Sequence, residues 1–136
     1  MKTICLAVAL LLALPALAAP QPQNVEGLWT ADFFGNTVEC HLEQKGQFLW
    51  GVAYVTTRAG ERNTYHLIGI VAGNSVEAFH GSSGNRFSGQ VSPEGRVSGN
   101  FIMKDGPTIA MDARRVKPGR THPGGLEWPP NYPPAQ

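Results

Sequence analysis

The chain has 136 residues, with eleven basic against ten acidic side chains. That length suits one domain, and a net charge of +1 gives no electrostatic case for nucleic acid or an anionic membrane as a partner. Two cysteines, one of them at position 5, exclude a disulfide framework.

Met1-Lys2-Thr3, the apolar run from Ile4 to Leu14 and the small-residue motif Ala16-Leu17-Ala18 compose a secretory signal over residues 1–18. The apolar run is too short to span a bilayer. The expected product is a soluble chain, secreted or periplasmic, with no membrane insertion. It keeps one cysteine, Cys40, so the domain must rest on its hydrophobic core. Residues 19–26 are polar and proline-containing, and read as a flexible leader.

Gly27 opens a first strand running to Phe34, with Trp29, Ala31 and Phe33 on one face. After a Gly35-Asn36 turn, Thr37 to Gln44 alternates cleanly, placing Val38, Cys40 and Leu42 inward and Glu39, His41 and Glu43 outward. Gln47 to Thr57 is apolar on both faces, and a polar loop leads into Thr64 to Val71, with Leu67, Gly69 and Val71 inward. Gly73-Asn74 turns into Ser75 to His80, where Val76, Ala78 and His80 share a face. Arg86 to Val91 and Arg96 to Phe101 then repeat one pattern around Ser92-Pro93-Glu94-Gly95, the composition of a hairpin turn. Asp105-Gly106 turns once more into a last strand, Thr108 to Arg115, with Ile109, Met111 and Ala113 inward.

Eight sequential strands joined by tight links predict an all-β fold, an eight-stranded antiparallel up-and-down meander barrel over residues 27–115. Closure hides the two edges that an open sheet would expose. A β-sandwich of the same strands is the alternative architecture. An outer-membrane barrel is not expected, because Glu39, Glu43, Ser88, Gln90 and Asn100 would face lipid. Residues 116–136 carry six prolines and three glycines after Lys117, a composition that favours a disordered tail. Trp128 and Tyr132 within it offer the alternative of docking onto the barrel or a partner.

Few residues point to chemistry. Cys40 lies on an inward face, where a free thiol behaves as a small hydrophobe. His41 stands outward between Glu39 and Glu43, which suits base chemistry and equally a solvated strand face. The histidines show no metal-ligand spacing, no serine sits in a nucleophile elbow, and no triad or carboxylate pair is visible, so an enzyme is not expected. No cofactor or metal is expected. The inward glycines Gly51, Gly69, Gly89 and Gly99, with His80 as the inward histidine, form a candidate ligand cavity. The competing reading fills those gaps with Trp29, Phe33, Phe87 and Phe101, and the sequence favours this filled core.

Gly27-Leu28-Trp29 resembles the glycine-x-tryptophan opening of the lipocalins and avidins, the calycin barrels, and Phe48-Leu49-Trp50-Gly51 and Leu67-Ile68-Gly69 look like glycine-marked strands of the avidin pattern. The resemblance implies a basic residue of the last strand stacked on the opening tryptophan. Arg115 has the inward parity for that clamp on Trp29, and Arg114 does not. The expected function is an exported, non-catalytic binding protein for a small hydrophobic ligand or a partner protein. The alternative is a secreted or periplasmic enzyme inhibitor whose projecting leader or Gly81 to Asn85 loop enters a protease cleft. Trp50, Val52, Tyr54, Ile68, Ile70 and Phe79 point outward on consecutive strands, and this apolar patch needs a cover. A homodimer partner is preferred over the tail as that cover.

Overall fold

The computed structural model describes residues 21–135. The secretory signal expected over residues 1–18 lies outside the described residues. Eight strands follow in order: β1 (Gly27–Phe33), β2 (Asn36–Lys45), β3 (Phe48–Thr56), β4 (Arg62–Ala72), β5 (Ser75–Phe79), β6 (Arg86–Val91), β7 (Arg96–Ile102) and β8 (Thr108–Pro118). Each pairs antiparallel with the next, and β8 returns to β1, closing the barrel. The meander barrel is therefore the observed architecture, and the sandwich alternative is set aside. Closure gives every strand a neighbour on both sides, so none is a free edge of the sheet.

The register explains the alternation. Trp29 lies opposite Cys40 and Arg115, Ala53 opposite Tyr65, Val71 opposite Val76, Phe87 opposite Phe101, and Val97 opposite Ala113. Residues directly opposite in a ladder share a face, so these side chains all enter the interior. The hairpin between β1 and β2 is a two-residue turn in which Phe34 and Gly35 both take left-handed φ, 51° and 75°, matching the twist of the flanking strands. For a bulky residue such a φ costs on the order of 1 kcal/mol. Phe34 is nevertheless 70% exposed at the barrel rim.

The two ends of the barrel differ. At the end holding the β2–β3, β4–β5 and β6–β7 turns, Val25, Trp29, Leu49, Val71, Val76, Val91 and Val97 pack into one buried cluster. The leader belongs to this plug. Val25 is 1% exposed, the Trp29 indole N–H donates to its carbonyl at 2.8 Å, and the Gln23 amide N–H donates to the Gly73 carbonyl at 3.0 Å. Composition suggested a loose leader. One buried valine and three hydrogen bonds from Gln23 and Trp29 hold it down instead.

Candidate functional site

The interior beyond the plug is a cavity of about 370 Å³. Its wall is built from inward positions of β1 to β8, among them Ala31, Phe33, Val38, Ala53, Leu67 and Phe101. It reaches the end of the barrel opposite Val25, where Asn36, His80, Ser83, Asn85 and Arg86 line it. Among the described residues no buried side-chain nitrogen or oxygen lacks a hydrogen-bond partner. The interior thus offers shape and apolar contact, and its polar groups gather at the mouth.

Small residues make the space. Ala31, Ala53 and Ala78 line the cavity, where larger side chains would close it. The glycines behave differently from expectation. Of the expected ligand-binding set, Gly69 and His80 line the cavity, whereas Gly51, Gly89 and Gly99 do not. A Cβ on Gly51 would stand 2.6 Å from Leu42 Cδ2, and Cβ atoms on Gly89 and Gly99 would stand 2.9 Å from the Phe87 ring. Leu42 and the Phe87 ring therefore occupy the room that these three glycines vacate. Of the side chains expected to fill the core, Phe87 does so beside Gly89 and Gly99, Leu42 takes that place beside Gly51, and the cavity opens along the alanines. Which neighbour leans into a gap depends on rotamers, and no sequence pattern encodes it.

His80 sits at the mouth, half-buried, with its Nδ1 2.7 Å from Ser83 Oγ and its ring 5.1 Å edge-on from Tyr65. Cys40 faces the cavity, and burial pushes its thiol up to about 12. That keeps it protonated and non-nucleophilic at neutral pH. Arg115 stands at the closed end with its guanidinium carbon 5.6 Å from the centre of the Trp29 ring, and its Nη1 donates to the Asn24 and Glu26 carbonyls at 3.0 and 3.3 Å. It binds the leader to the plug as well as facing the indole.

A second feature lies on the outer wall. Composition favoured a disordered tail after residue 116, but β8 runs to Pro118, and the following residues lie against β2, β3 and β4 without regular structure of their own. The Leu126 amide N–H and the Trp128 indole N–H donate to the two carboxylate oxygens of Glu43 at 2.6 and 3.1 Å. The Tyr132 hydroxyl stands 2.9 Å from the Leu49 carbonyl and 2.8 Å from that of Gly69, sharing its one proton between them. Tyr132 stacks on Trp128, and Lys45 Nζ sits 4.3 Å above the Trp128 ring. Prolines deny the segment a helix or strand but also lower the entropy it loses on docking. A few aromatic anchors then suffice.

The outward residues expected at an interface divide accordingly. Trp50, Val52 and Tyr54 lie beneath the tail, lining with it a groove of about 530 Å³, and Val52 is only 2% exposed. Ile68, Ile70 and Phe79 stay uncovered, at 38%, 45% and 41% exposure. The sequence preferred a partner chain as the cover of this patch, and for half of it the tail does that work. Next to the groove His41 Nδ1 is 2.7 Å from Thr121 Oγ1, and the Tyr54 hydroxyl is 3.0 Å from His122 Nε2. Among the described residues no group of three or more His, Cys, Asp or Glu side chains could hold a metal ion. A scan against protein-family models and searches of curated proteins and solved structures return no match for this chain.

Proposed function

We propose that this chain is an exported, non-catalytic binding protein whose barrel interior takes one small apolar molecule. The observation that carries the reading is the cavity, whose 370 Å³ falls at the low end of the roughly 300–1,000 Å³ of small-molecule sites. An apolar space open at one end and sealed at the other by Val25 and Trp29 suits a single occupant that enters at the mouth. The apolar interior and polar mouth favour a ligand that is mostly hydrocarbon, with any polar group directed toward His80, Asn85 and Arg86. Export rests on the signal-like residues 1–18, and the calycin resemblance of Gly27-Leu28-Trp29 with Arg115 agrees with a carrier role. The inhibitor alternative is weakened by the leader, which is tied into the plug and does not project.

Native mass spectrometry of the protein purified from its own source tests this reading. The expected result is a mass increment of one small molecule per chain, lost after extraction with organic solvent. A bare chain mass, together with no uptake of apolar compounds by the extracted protein, would contradict it.

A further inference from the structure

The histidine cluster under the tail belongs to neither the cavity nor the plug. His41 projects outward from β2 and His122 comes from the tail, their rings perpendicular with centres 5.3 Å apart. Tyr54 of β3 lies beside both rings, and the Arg62 guanidinium of β4 sits 4.2 Å above Tyr54. His122 Nδ1 is 3.3 Å from the Gly125 carbonyl while its Nε2 meets the Tyr54 hydroxyl. A neutral ring satisfies both contacts, with Nδ1–H donating to the carbonyl and Nε2 accepting from tyrosine.

We infer that the tail is an acid-released strap: protonation of the His41–His122 pair detaches residues 121–132 from the barrel wall. Two imidazolium rings at this separation would repel each other, and Arg62 adds a third positive charge against the same tyrosine. The surrounding charges do not all act in one direction. Glu39 on β2 favours a charged His41, whereas burial, His122 and Arg62 disfavour it, and the net effect holds His41 below the usual histidine range. Further ionisable groups on this face are Glu43 and Lys45 on β2, His66 on β4, and Glu127 and Tyr132 in the tail. Because His41 takes up a proton more readily once the tail has left, the released state binds more protons. Docking is therefore complete above the ordinary histidine range and weakens as pH falls through it. Acid then uncovers Trp50 and Val52, which adjoin the already exposed Ile68, Ile70 and Phe79 on neighbouring strands.

The test is nuclear magnetic resonance of the tryptophan indoles, of which there are three, as pH is lowered from about 8 to about 5. The reference for release is a chain truncated after Arg120. The Trp128 signal should vanish from its docked position, the Trp50 signal should move to its position in the truncated chain, and Trp29, in the plug, should stay where it is. In the His41→Gln/His122→Gln protein the docked positions should persist across the whole range. A wild-type protein whose Trp50 and Trp128 signals do not move overturns the inference. So does an unchanged transition in the double variant, which would transfer the release to Glu43. Should the double variant lose the tail at every pH, the His41→Gln protein serves instead, and an unshifted midpoint there is equally fatal.

Discussion

Glu43 and Trp128, separated by 85 positions in sequence, meet through an indole N–H that donates to Oε1 at 3.1 Å, while Oε2 of the same carboxylate accepts from the Leu126 amide. Glu43 is 4% exposed, and the tail is what buries it. Hydrogen bonds to a charged acceptor contribute about 1.5–3 kcal/mol each, so this carboxylate is the strongest single anchor of the tail. Glu43→Ala should free the segment without unfolding the barrel. Trypsin cleavage after Arg120 should then run more than about tenfold faster than in wild type, with the β-type circular dichroism unchanged. Equal cleavage rates would show that the aromatic contacts alone hold the tail.

The plug makes a prediction of different size for each member. Removing the Trp29 side chain, which is 4% exposed, opens a cavity and strips the partner from the Val25 carbonyl, a loss of about 3–5 kcal/mol. Arg115→Ala forfeits the stacking and the bonds to Asn24 and Glu26, about 1–2 kcal/mol at a half-buried site. Arg114 is exposed on the outer face, and its replacement by alanine should be near neutral. Urea denaturation orders the three, and equal effects from the two arginines would refute the clamp.

Glycine replacements separate backbone from side-chain crowding. A Cβ at Gly99 would press on the Ser88 carbonyl and stand 2.6 Å from Gly89 Cα, both backbone atoms of the neighbouring strand. At Gly51 the tightest neighbour, at 2.6 Å, is the end of the Leu42 side chain, which can rotate away. Gly99→Ala should therefore cost more than Gly51→Ala, the former on the order of the 1–3 kcal/mol typical of overpacking. Thermal melts of the two proteins decide it, and the reverse order would mean that β6 and β7 separate more readily than their pairing implies.

The strand faces were legible from alternation alone. Trp29, Cys40, Leu67, Val76, Phe87, Val97 and Met111 all enter the interior as their parity requires, because a one-residue slip would turn each of them outward. The parity that separates Arg115 from Arg114 was legible for the same reason. Docking of the tail was not, since Leu126, Trp128 and Tyr132 follow no period and find Glu43, Leu49 and Gly69 through single contacts across more than sixty positions. Nor was the location of the cavity. Composition marks where bulk is missing, but whether a gap stays open depends on whether a neighbour such as Phe87 leans across it.

Cys40 gives a solution check on the dryness of the interior. A thiol pushed up to about 12 stays protonated through neutral pH, so iodoacetamide at about pH 8 should leave the native chain unmodified and alkylate it fully in urea. The sign on stability follows. The folded state keeps this proton while the unfolded thiol loses its own around the ordinary value of 9.0, so the contribution of Cys40 falls as pH rises from 9.0 toward about 12. Rapid alkylation of the native chain would mean that bulk water fills the cavity as far as β2.

The most direct measurement of the central claim is a fluorescence titration with an apolar naphthylamine probe on wild type, Ala53→Trp and Glu43→Ala. Ala53 lines the cavity and is 6% exposed, so an indole there would occupy the space a ligand needs. Glu43 lies outside, beneath the tail. One probe should bind per wild-type chain, Ala53→Trp should weaken that binding by about tenfold or more, and Glu43→Ala should keep the site intact. Wild type that takes up no probe, or binding that Ala53→Trp leaves unchanged, would contradict a ligand inside the barrel.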